Sequence, residues 1–367
     1  MNQRANYSIM KLLKLFLTYQ LKDSRPRQKS SGFTLIELLI GLALAFLIIT
    51  PLLGFMINVL RSDRQEQAKA NSEQEIQAAL NYIARDVDQA VHIYDGFGLD
   101  KIKGNLPQYQ NSEPVLVFWK RHFYPKIIPT SASRGDCRGA NGDSCNDAFV
   151  YSLVAYYQID NSTQNSNCSN KTWSCTQQIG RVELKSGLGE EPNFIIPPDP
   201  RNFLLFNSEA ADTVEGQMNA WPPTPITYNP LPQMNILIDY IDATPEANLP
   251  PSSQASCPTT PRTLPRPDAP PVPPPAYSRN PPPYLDRQVP NYTTGTNLAP
   301  AKFQTSSFYA CVNSDSTSAQ VFIRGNAMAR MEPRSKPSNY SESQSAYFPK
   351  ANMLAKGGGL LTNNNQQ

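Results

Sequence analysis

The sequence predicts an α+β fold, in which one long N-terminal helix packs on an antiparallel β-sheet. Three observations predict it: an uncharged apolar run over residues 38–57, an amphipathic continuation of that run, and short β-rich runs over the rest of the chain. A helix that is followed by strands buries its apolar stripe against the sheet that the strands form. We therefore expect a membrane-anchored chain with one exported, β-rich domain.

Residues 1–32 are predicted to be a cytoplasmic leader that is cleaved from the mature protein. They carry seven Lys or Arg residues against one acidic residue, Asp23. Residues 10–17 are apolar and resemble the core of a secretory signal peptide, but the run is short and no small-residue cleavage site follows it. The leader is therefore excluded from the prediction of the fold.

A transmembrane helix is predicted over residues 33–60. Within it, residues 38–57 are 20 residues without a charge, and at about 1.5 Å per residue they span roughly 30 Å, the thickness of a bilayer core. Arg27 and Lys29 precede the segment, which predicts a cytoplasmic N-terminus and an exported C-terminal part. Glu37 is costly in lipid, by about 2.5 to 3.5 kcal/mol if it lies deep, so its presence predicts a partner charge.

Residues 61–95 are predicted to continue this helix as an amphipathic helix. Apolar residues recur there at steps of three or four, the spacing of one helix face. They are Ile76, Leu80, Ile83, Val87, Val91 and Tyr94. We expect one helix over about residues 34–94, ended by Gly96 in the left-handed conformation. Pro51 and Gly54 predict a bend or local melting in its apolar half.

Five β-rich runs predict the sheet of the exported domain. They are residues 115–119, 149–157, 180–184, 235–240 and 320–324. The domain is predicted to occupy residues 96–249, with a closing strand region at 301–333 and a weakly ordered tail at 334–367. Residues 250–300 form a Pro-rich loop excursion, since 15 of the 35 prolines lie between positions 250 and 290 and favour extended polyproline II. This excursion is a spacer or, alternatively, a docking segment for a partner groove.

Six cysteines on the exported side predict disulfides, as in an oxidising compartment. Their spacing favours pairing between neighbours along the chain, although six cysteines allow 15 connectivities. The favoured pairs are Cys137 with Cys145, Cys168 with Cys175, and Cys257 with Cys311. A zinc site is the alternative, but CxxC spacing and nearby histidines are missing from the sequence.

No catalytic motif is present in the sequence, and we expect a protein that is not an enzyme and needs no cofactor. The two histidines are interpreted as structural or solvated, with His92 on the amphipathic helix and His122 at a strand end. Asp136, Asp143 and Asp147 are weak calcium candidates in the loop around the first cysteine pair, but their spacing is not that of an EF-hand. A solvated disulfide loop is the alternative interpretation, so no metal site is predicted.

The run Gly32-Phe33-Thr34-Leu35-Ile36-Glu37, with basic residues before it and apolar residues after it, resembles the class III signal of type IV pilins and type II secretion pseudopilins. The resemblance implies that prepilin peptidase cleaves between Gly32 and Phe33 and that Phe33 is N-methylated. It also implies that Glu37 meets the N-terminal amine of a neighbouring subunit during assembly. The partners implied are prepilin peptidase, other major and minor pilins or pseudopilins, and an inner-membrane assembly platform. A plain single-pass anchor is the alternative.

Residues 63–80, 82–86 and 323–327 are similar to the cyanobacterial hormogonium polysaccharide secretion pseudopilins, in particular the C type. The similarity implies a minor pilin or pseudopilin that supports polysaccharide secretion and gliding motility, with polysaccharide as a further partner. It implies an inner-membrane protein with a periplasmic domain that assembles into a periplasmic or extracellular filament. The alternatives are a filament-displayed adhesin or substrate-binding subunit and a pseudopilin for protein secretion. The net charge is +3 and the basic excess lies in the leader, which leaves the exported part near neutral, so nucleic acid is not an expected partner.

Overall fold

The computed structural model describes residues 32–129, 137, 145–161, 173–189, 195–257, 288–291, 299–313, 316–331 and 338–359. The chain divides into two compact units, Met1–Arg61 and Ser62–Gln367. Three α-helices are described: α1 (Leu35–Val87), α2 (Gly96–Ile102) and α3 (Val214–Asn219). Nine strands are described: β1 (Ala90–Ile93), β2 (Ser112–Pro129), β3 (Cys145–Asp160), β4 (Gln177–Lys185), β5 (Asn235–Ile241), β6 (Gln288–Val289), β7 (Phe308–Asn313), β8 (Ser318–Arg324) and β9 (Lys350–Lys356).

The strands form two antiparallel sheets within the second unit. Strands β1 to β5 form a five-stranded sheet in chain order, and β6 to β9 form a four-stranded sheet in chain order. A single bridge between Ile241 and Gly325 connects the end of β5 to the residue after β8. The predicted α+β fold, a long helix packed on an antiparallel sheet, is confirmed, and each of the five predicted runs lies in a strand.

The second half of α1 packs on the strands through a stripe of small and apolar residues. The buried residues of this stripe are Ala68, Ser72, Ile76, Ala79, Leu80, Ile83, Asp86 and Val87. They recur at steps of three or four, as the sequence pattern predicts for one helix face. The exposed positions between them are mostly polar, so burial of this stripe supplies the hydrophobic free energy that holds the helix on the strands.

The predicted helix end is wrong, because α1 ends at Val87 and the next residues form a strand. Ala90–Ile93 pairs with β2 and is buried at all four positions. A run that is buried throughout satisfies a helical spacing as well as an extended one, which is why periodicity did not separate the two. Asp95 does not end α1; its carboxylate accepts from the Gly98 N–H (2.8 Å) and caps the N-terminus of α2.

The predicted weakly ordered tail is also wrong for residues 338–359. There β9 pairs with β8 along its whole length, and Gly358 and Gly359 donate to the carbonyls of Asp88 and Ala90 (2.9 and 3.0 Å). A Cβ at Gly357 would lie 2.4 Å from the Ala90 carbonyl oxygen, so only glycine allows this close approach. Hydrogen bonds to β8 and to residues 88–90 therefore order this segment, although its composition, rich in Ser, Asn and Gln, predicts weak order.

The Pro-rich run at 258–287 lies outside the described residues, but both of its flanks are described. Cys257 forms a disulfide with Cys311 on β7, and Gln288 on β6 pairs with the same residue, Cys311. The excursion therefore begins and ends at one point of the four-stranded sheet, as expected if this disulfide closes its base.

Aromatic residues cover the face of the five-stranded sheet that is turned away from α1. Lys120 faces the helix, where it pairs with Asp86, so the neighbouring Trp119 points to the opposite face of the sheet. The Trp119 ring contacts the Trp221 ring at 5.7 Å between centroids. Its indole N–H donates to the Tyr94 hydroxyl (2.9 Å), which in turn donates to the Met218 carbonyl (2.8 Å). Segment 195–234, which includes α3, thus forms a second covering layer over this part of the sheet, and Trp119 is fully buried beneath it.

Candidate processing and assembly site

The predicted processing residues lie directly before the start of α1. Gly32 and Phe33 precede the helix, and the Phe33 side chain is 80% exposed. Thr34 caps the helix: its carbonyl accepts from the N–H groups of Glu37 and Leu38, and its hydroxyl accepts from the Glu37 N–H at 3.3 Å. The bond between Gly32 and Phe33 is therefore exposed and lies outside the helix, where a peptidase could reach it.

Glu37 lies in the first turn of α1 and is exposed. In the part of the chain that the structure describes, its carboxylate has no hydrogen-bond or ion-pair partner. The first turn of a helix favours a negative charge, because its free N–H groups carry a partial positive charge. That interaction is too small to offset the cost of a carboxylate in lipid, so the helix itself does not supply the partner that the sequence predicts.

The apolar half of α1 exposes its side chains on every face. Every residue from Leu35 to Leu60 is exposed, and α1 is the one helix among the described residues that is long and apolar enough to cross a membrane. Of the bend or local melting predicted at Pro51 and Gly54, local melting does not occur, because both residues are helical; the bend stays a prediction. The Thr50 hydroxyl donates to the Phe46 carbonyl (2.8 Å) in the turn where Pro51 lacks a donor.

A buried cluster of charges joins the last turns of α1 to three strands, and the sequence analysis did not find it. The Asp86 cluster comprises Asp86 on α1, Lys120 on β2, Tyr156 on β3, and Arg181 and Glu183 on β4. The Asp86 carboxylate accepts from Lys120 Nζ (2.8 Å), the Tyr156 hydroxyl (2.8 Å), and Arg181 Nε and Nη2 (2.7 and 3.2 Å). The one sequence feature that could have indicated this cluster is Asp86 itself, an acidic residue beside Val87 of the predicted apolar stripe.

The charges in the Asp86 cluster balance, which explains how they can be buried. Glu183 accepts from Arg181 Nη2 (2.8 Å) and lies 3.3 Å from Lys120 Nζ, so two cations face two carboxylates. Burial would raise the pKa of Asp86, but hydrogen bonds and charges from Arg181 and Lys120 outweigh it and lower that pKa. In Glu183, burial is likewise outweighed, by His122, Arg181 and Lys120, and its pKa is well below its ordinary value. Both carboxylates are thus held ionised.

Both histidines lie in other elements or positions than the sequence predicts. His92 lies on β1 rather than on α1, and His122 lies inside β2 rather than at its end, with Nε2 3.2 Å from a Glu183 carboxylate oxygen. His92 is buried against the Tyr94 ring (4.9 Å), and its Nε2 has no hydrogen-bond partner. Burial lowers the pKa of His92 to about 4.

This buried histidine predicts a loss of stability in mild acid. His92 is neutral in the folded state down to about pH 4, but it binds a proton near pH 6.5 when the chain unfolds. Stability should therefore fall as the pH drops from 6.5 to 4, by about 3 kcal/mol in total. Denaturant unfolding at several pH values measures this slope. Between pH 6.5 and 5, above the range in which carboxylates titrate, His92→Phe should abolish the slope. His122→Gln, which changes the other histidine, should keep it, and an unchanged slope in His92→Phe would contradict the assignment.

The structure contains disulfides, as expected for an exported chain. Cys137 is bonded to Cys145 and Cys257 to Cys311, and Cys175 is also disulfide-bonded. Cys168, its predicted partner, lies outside the described residues. Two of the calcium candidates, Asp136 and Asp143, lie there as well. Asp147 is on β3 and accepts from the Lys126 N–H (2.8 Å), and the described residues contain no cluster suited to a metal ion.

Comparison with known proteins agrees with the geometry at the start of α1. The prokaryotic N-terminal methylation motif matches residues 27–53, which include the end of the leader, the Gly32–Phe33 bond, Glu37 and most of the apolar run. No curated protein and no solved structure matches the chain. The motif supports a type IV pilin-like protein, and the apolar helix fits the single-pass membrane anchor of such proteins.

Proposed function

We propose that this chain is a minor pilin or pseudopilin, a structural subunit of a filament related to type IV pili or type II secretion pseudopili. One observation carries the proposal: a methylation motif begins a helix whose 26 residues from Leu35 to Leu60 are exposed throughout, with a first-turn carboxylate that has no partner among the described residues. Exposed apolar side chains on all faces need lipid around them, or other helices of the same kind. The membrane surrounds the helix with lipid before assembly, and a filament core surrounds it with helices of the same kind afterwards.

The proposed mechanism begins with insertion of α1 into the inner membrane, with the leader in the cytoplasm and the second unit in the periplasm. Prepilin peptidase then cleaves between Gly32 and Phe33 and methylates the new amine, which keeps its positive charge. In the filament, this amine pairs with the Glu37 carboxylate of an adjacent subunit. Because both charges are costly in an apolar environment unless they are paired, the pair selects one stagger between neighbouring helices.

Processing is the direct test of the proposal. We expect mass spectrometry of the membrane-extracted protein to find an N-terminal peptide that begins with N-methylated Phe33. Replacing Gly32 with a bulkier residue should block cleavage and leave the leader attached, because the peptidase must approach this bond closely. The matched control is Gly41→Ala, which changes an exposed glycine inside α1 that, like Gly32, has open space around it. An intact leader in the unmodified protein, or cleavage elsewhere, would remove the basis for the proposal.

We further propose that the filament serves polysaccharide secretion and gliding motility, on the similarity of residues 63–80, 82–86 and 323–327 to the secretion pseudopilins named above. An adhesin or substrate-binding subunit is favoured instead by one observation. Phe123, 54% exposed, contacts Phe149 (5.3 Å), and the Arg121 guanidinium lies over the Phe149 ring (4.3 Å). Aromatic and arginine side chains are typical of binding surfaces. Export assays for polysaccharide and for protein in a strain that lacks the gene distinguish these roles.

A further inference from the structure

Two strands of the five-stranded sheet extend beyond their neighbours as a two-stranded ribbon. β1 pairs with β2 only as far as Lys120, and β4 pairs with β3 only from Ser152 onward. Past these points β2 and β3 pair with each other over residues 121–129 and 145–151, and in the described part of the chain no third strand joins them. We call these two ranges the β2–β3 ribbon.

One face of the β2–β3 ribbon continues the aromatic layer of the sheet. Because side chains alternate along a strand, Arg121 and Phe123 lie on the face turned away from α1. Across the ribbon they pair with Tyr151 and Phe149, which lie on the same face. The Tyr151 ring is buried and contacts the Phe206 ring of segment 195–234 (5.4 Å). Phe123 is more than half exposed, so the aromatic layer reaches the surface there.

Arg121 is held on this face by an aromatic ring and not by a counter-charge. Its guanidinium lies over the Phe149 ring (4.3 Å to the centroid), and the Phe149 ring contacts the Phe123 ring (5.3 Å). Asp147, two residues before Phe149 on β3, accepts instead from the Lys126 N–H (2.8 Å). Nη1 of Arg121 is buried and has no hydrogen-bond partner.

This arrangement sets Arg121 apart from the other arginines of the described residues. Each of the others that is not exposed donates to a carboxylate; they are Arg181, Arg324 and Arg330. A buried N–H group without an acceptor is unfavourable, because it has lost its bonds to water and gained none in return. An acceptor from a ligand would complete Arg121, and a carboxylate would also neutralise its charge.

We propose that Arg121, Phe149 and Phe123 form a binding site for an acidic polysaccharide, a polymer whose sugars carry carboxylate groups. The inference rests on the substrate-binding role given above for this surface and names its substrate class. A guanidinium binds a carboxylate through two parallel N–H bonds. The C–H groups on the face of a sugar ring pack on the negative face of an aromatic ring such as Phe123. Both groups lie against the Phe149 ring, so neighbouring sugars of one polymer reach both.

The composition of this surface favours an acidic sugar polymer over a nucleic acid or a protein. Single-stranded nucleic acid also stacks on aromatic rings, but it needs a groove of cations that follows its backbone. The chain after residue 32 has no excess of cations to supply one. A stable protein contact buries about 800 Å² on each partner, more than two phenyl rings and one guanidinium present. A carboxylated sugar needs one ring face and one cation, which this surface offers.

Binding to the full chain in detergent tests the proposal by isothermal titration calorimetry. The acidic probes are hexamers of mannuronate and of galacturonate, the neutral probe is cellohexaose, and a single-stranded DNA oligomer represents the other polyanions. We expect at least one acidic hexamer to bind at least tenfold more tightly than cellohexaose and more tightly than the DNA. The tenfold difference is the contribution of the charged hydrogen bonds to Arg121, which the neutral sugar cannot make.

Two variants locate the binding on the β2–β3 ribbon. Arg121→Met removes the charge and keeps the length of the side chain, and Phe123→Ala removes the exposed ring. Each should lower the affinity for the acidic hexamer at least tenfold while the chain stays folded, because Arg121 has no partner to leave unpaired and Phe123 is exposed. The matched controls are Arg85→Met, which removes an exposed cation from α1, and Trp173→Ala, which removes a half-exposed ring before β4. Both should bind like the native chain.

Several results would overturn the proposal: equal affinity for acidic and neutral hexamers, tighter binding of the DNA, no binding of either acidic hexamer at millimolar concentration, or unchanged affinity in Arg121→Met. Leader cleavage and co-purification with other pilins are measured on the same variants and should be unchanged. Loss of co-purification in Phe123→Ala would assign this surface to a protein contact instead. Failure of cleavage in the native chain would contradict the filament proposal without affecting the binding measurement, so the two proposals fail separately.

Discussion

Replacing Glu37 with alanine is expected to abolish co-assembly with other pilins while leaving membrane insertion and leader cleavage unchanged. The uncharged residues that follow Glu37 suffice to span a bilayer, and the carboxylate only adds a cost to insertion. In the proposed filament, the variant leaves the amine of an adjacent Phe33 buried without a counter-charge. Such an unpaired charge costs about 3 to 5 kcal/mol, or a factor of roughly 150 to 5,000 at each subunit contact.

Three measurements on one membrane fraction test this prediction. Mass spectrometry reports processing, carbonate extraction reports insertion, and co-purification with other pilins reports assembly. Glu66→Ala is the matched control, since it removes an exposed carboxylate, paired only with Lys69, from the same helix. Glu37→Gln should behave like Glu37→Ala, because the amide keeps the shape but not the charge. Normal assembly of the alanine variant, or its failure to enter the membrane, would show that Glu37 has another role.

Arg181→Met is expected to destabilise the domain that follows Arg61 by about 3 to 5 kcal/mol, because it leaves two buried carboxylates with Lys120 as the main remaining counter-charge. Asp86 and Glu183 both accept hydrogen bonds from this guanidinium. Chemical denaturation of the domain measures the loss. Arg85→Met is the matched control: Arg85 is an exposed cation one residue from Asp86, and its removal should change stability by less than about 0.5 kcal/mol.

The pH dependence of the stability of Arg181→Met shows whether lost charge pairing or lost packing causes the destabilisation. In the native chain the pKa values of Asp86 and Glu183 lie below their ordinary values of 3.8 and 4.5. These carboxylates therefore add stability that is complete above about pH 5 and is lost as the pH falls below about 4. Arg181→Met reduces that contribution, so the difference between variant and native chain should narrow as the pH falls through 4. A difference that stays constant over this range would assign the loss to packing instead of charge.

Much of this fold could be predicted from sequence because its signals are local. The uncharged apolar run at 38–57 is long enough to predict a helix. The β-branched and aromatic runs that form β2, β3, β4, β5 and β8 differ clearly from the turn-rich sequence around them. The methylation motif was predictable for the same reason, since it is a short linear segment. The strands that were missed, among them β1 and β9, have little local signal, and pairing with distant partners decides their structure.

By itself, the sequence determined the apolar helix, the methylation motif that includes Gly32, Phe33 and Glu37, and the α+β class, because each depends on residues adjacent along the chain. Only the tertiary structure decided where α1 ends, how the segment after residue 338 is ordered, and what surrounds Asp86. Asp86, Lys120 and Arg181 are separated by up to 95 residues and come together only when β2 to β4 align under the helix. Burial of a charge depends on such distant partners, so the pattern around a single residue does not reveal it.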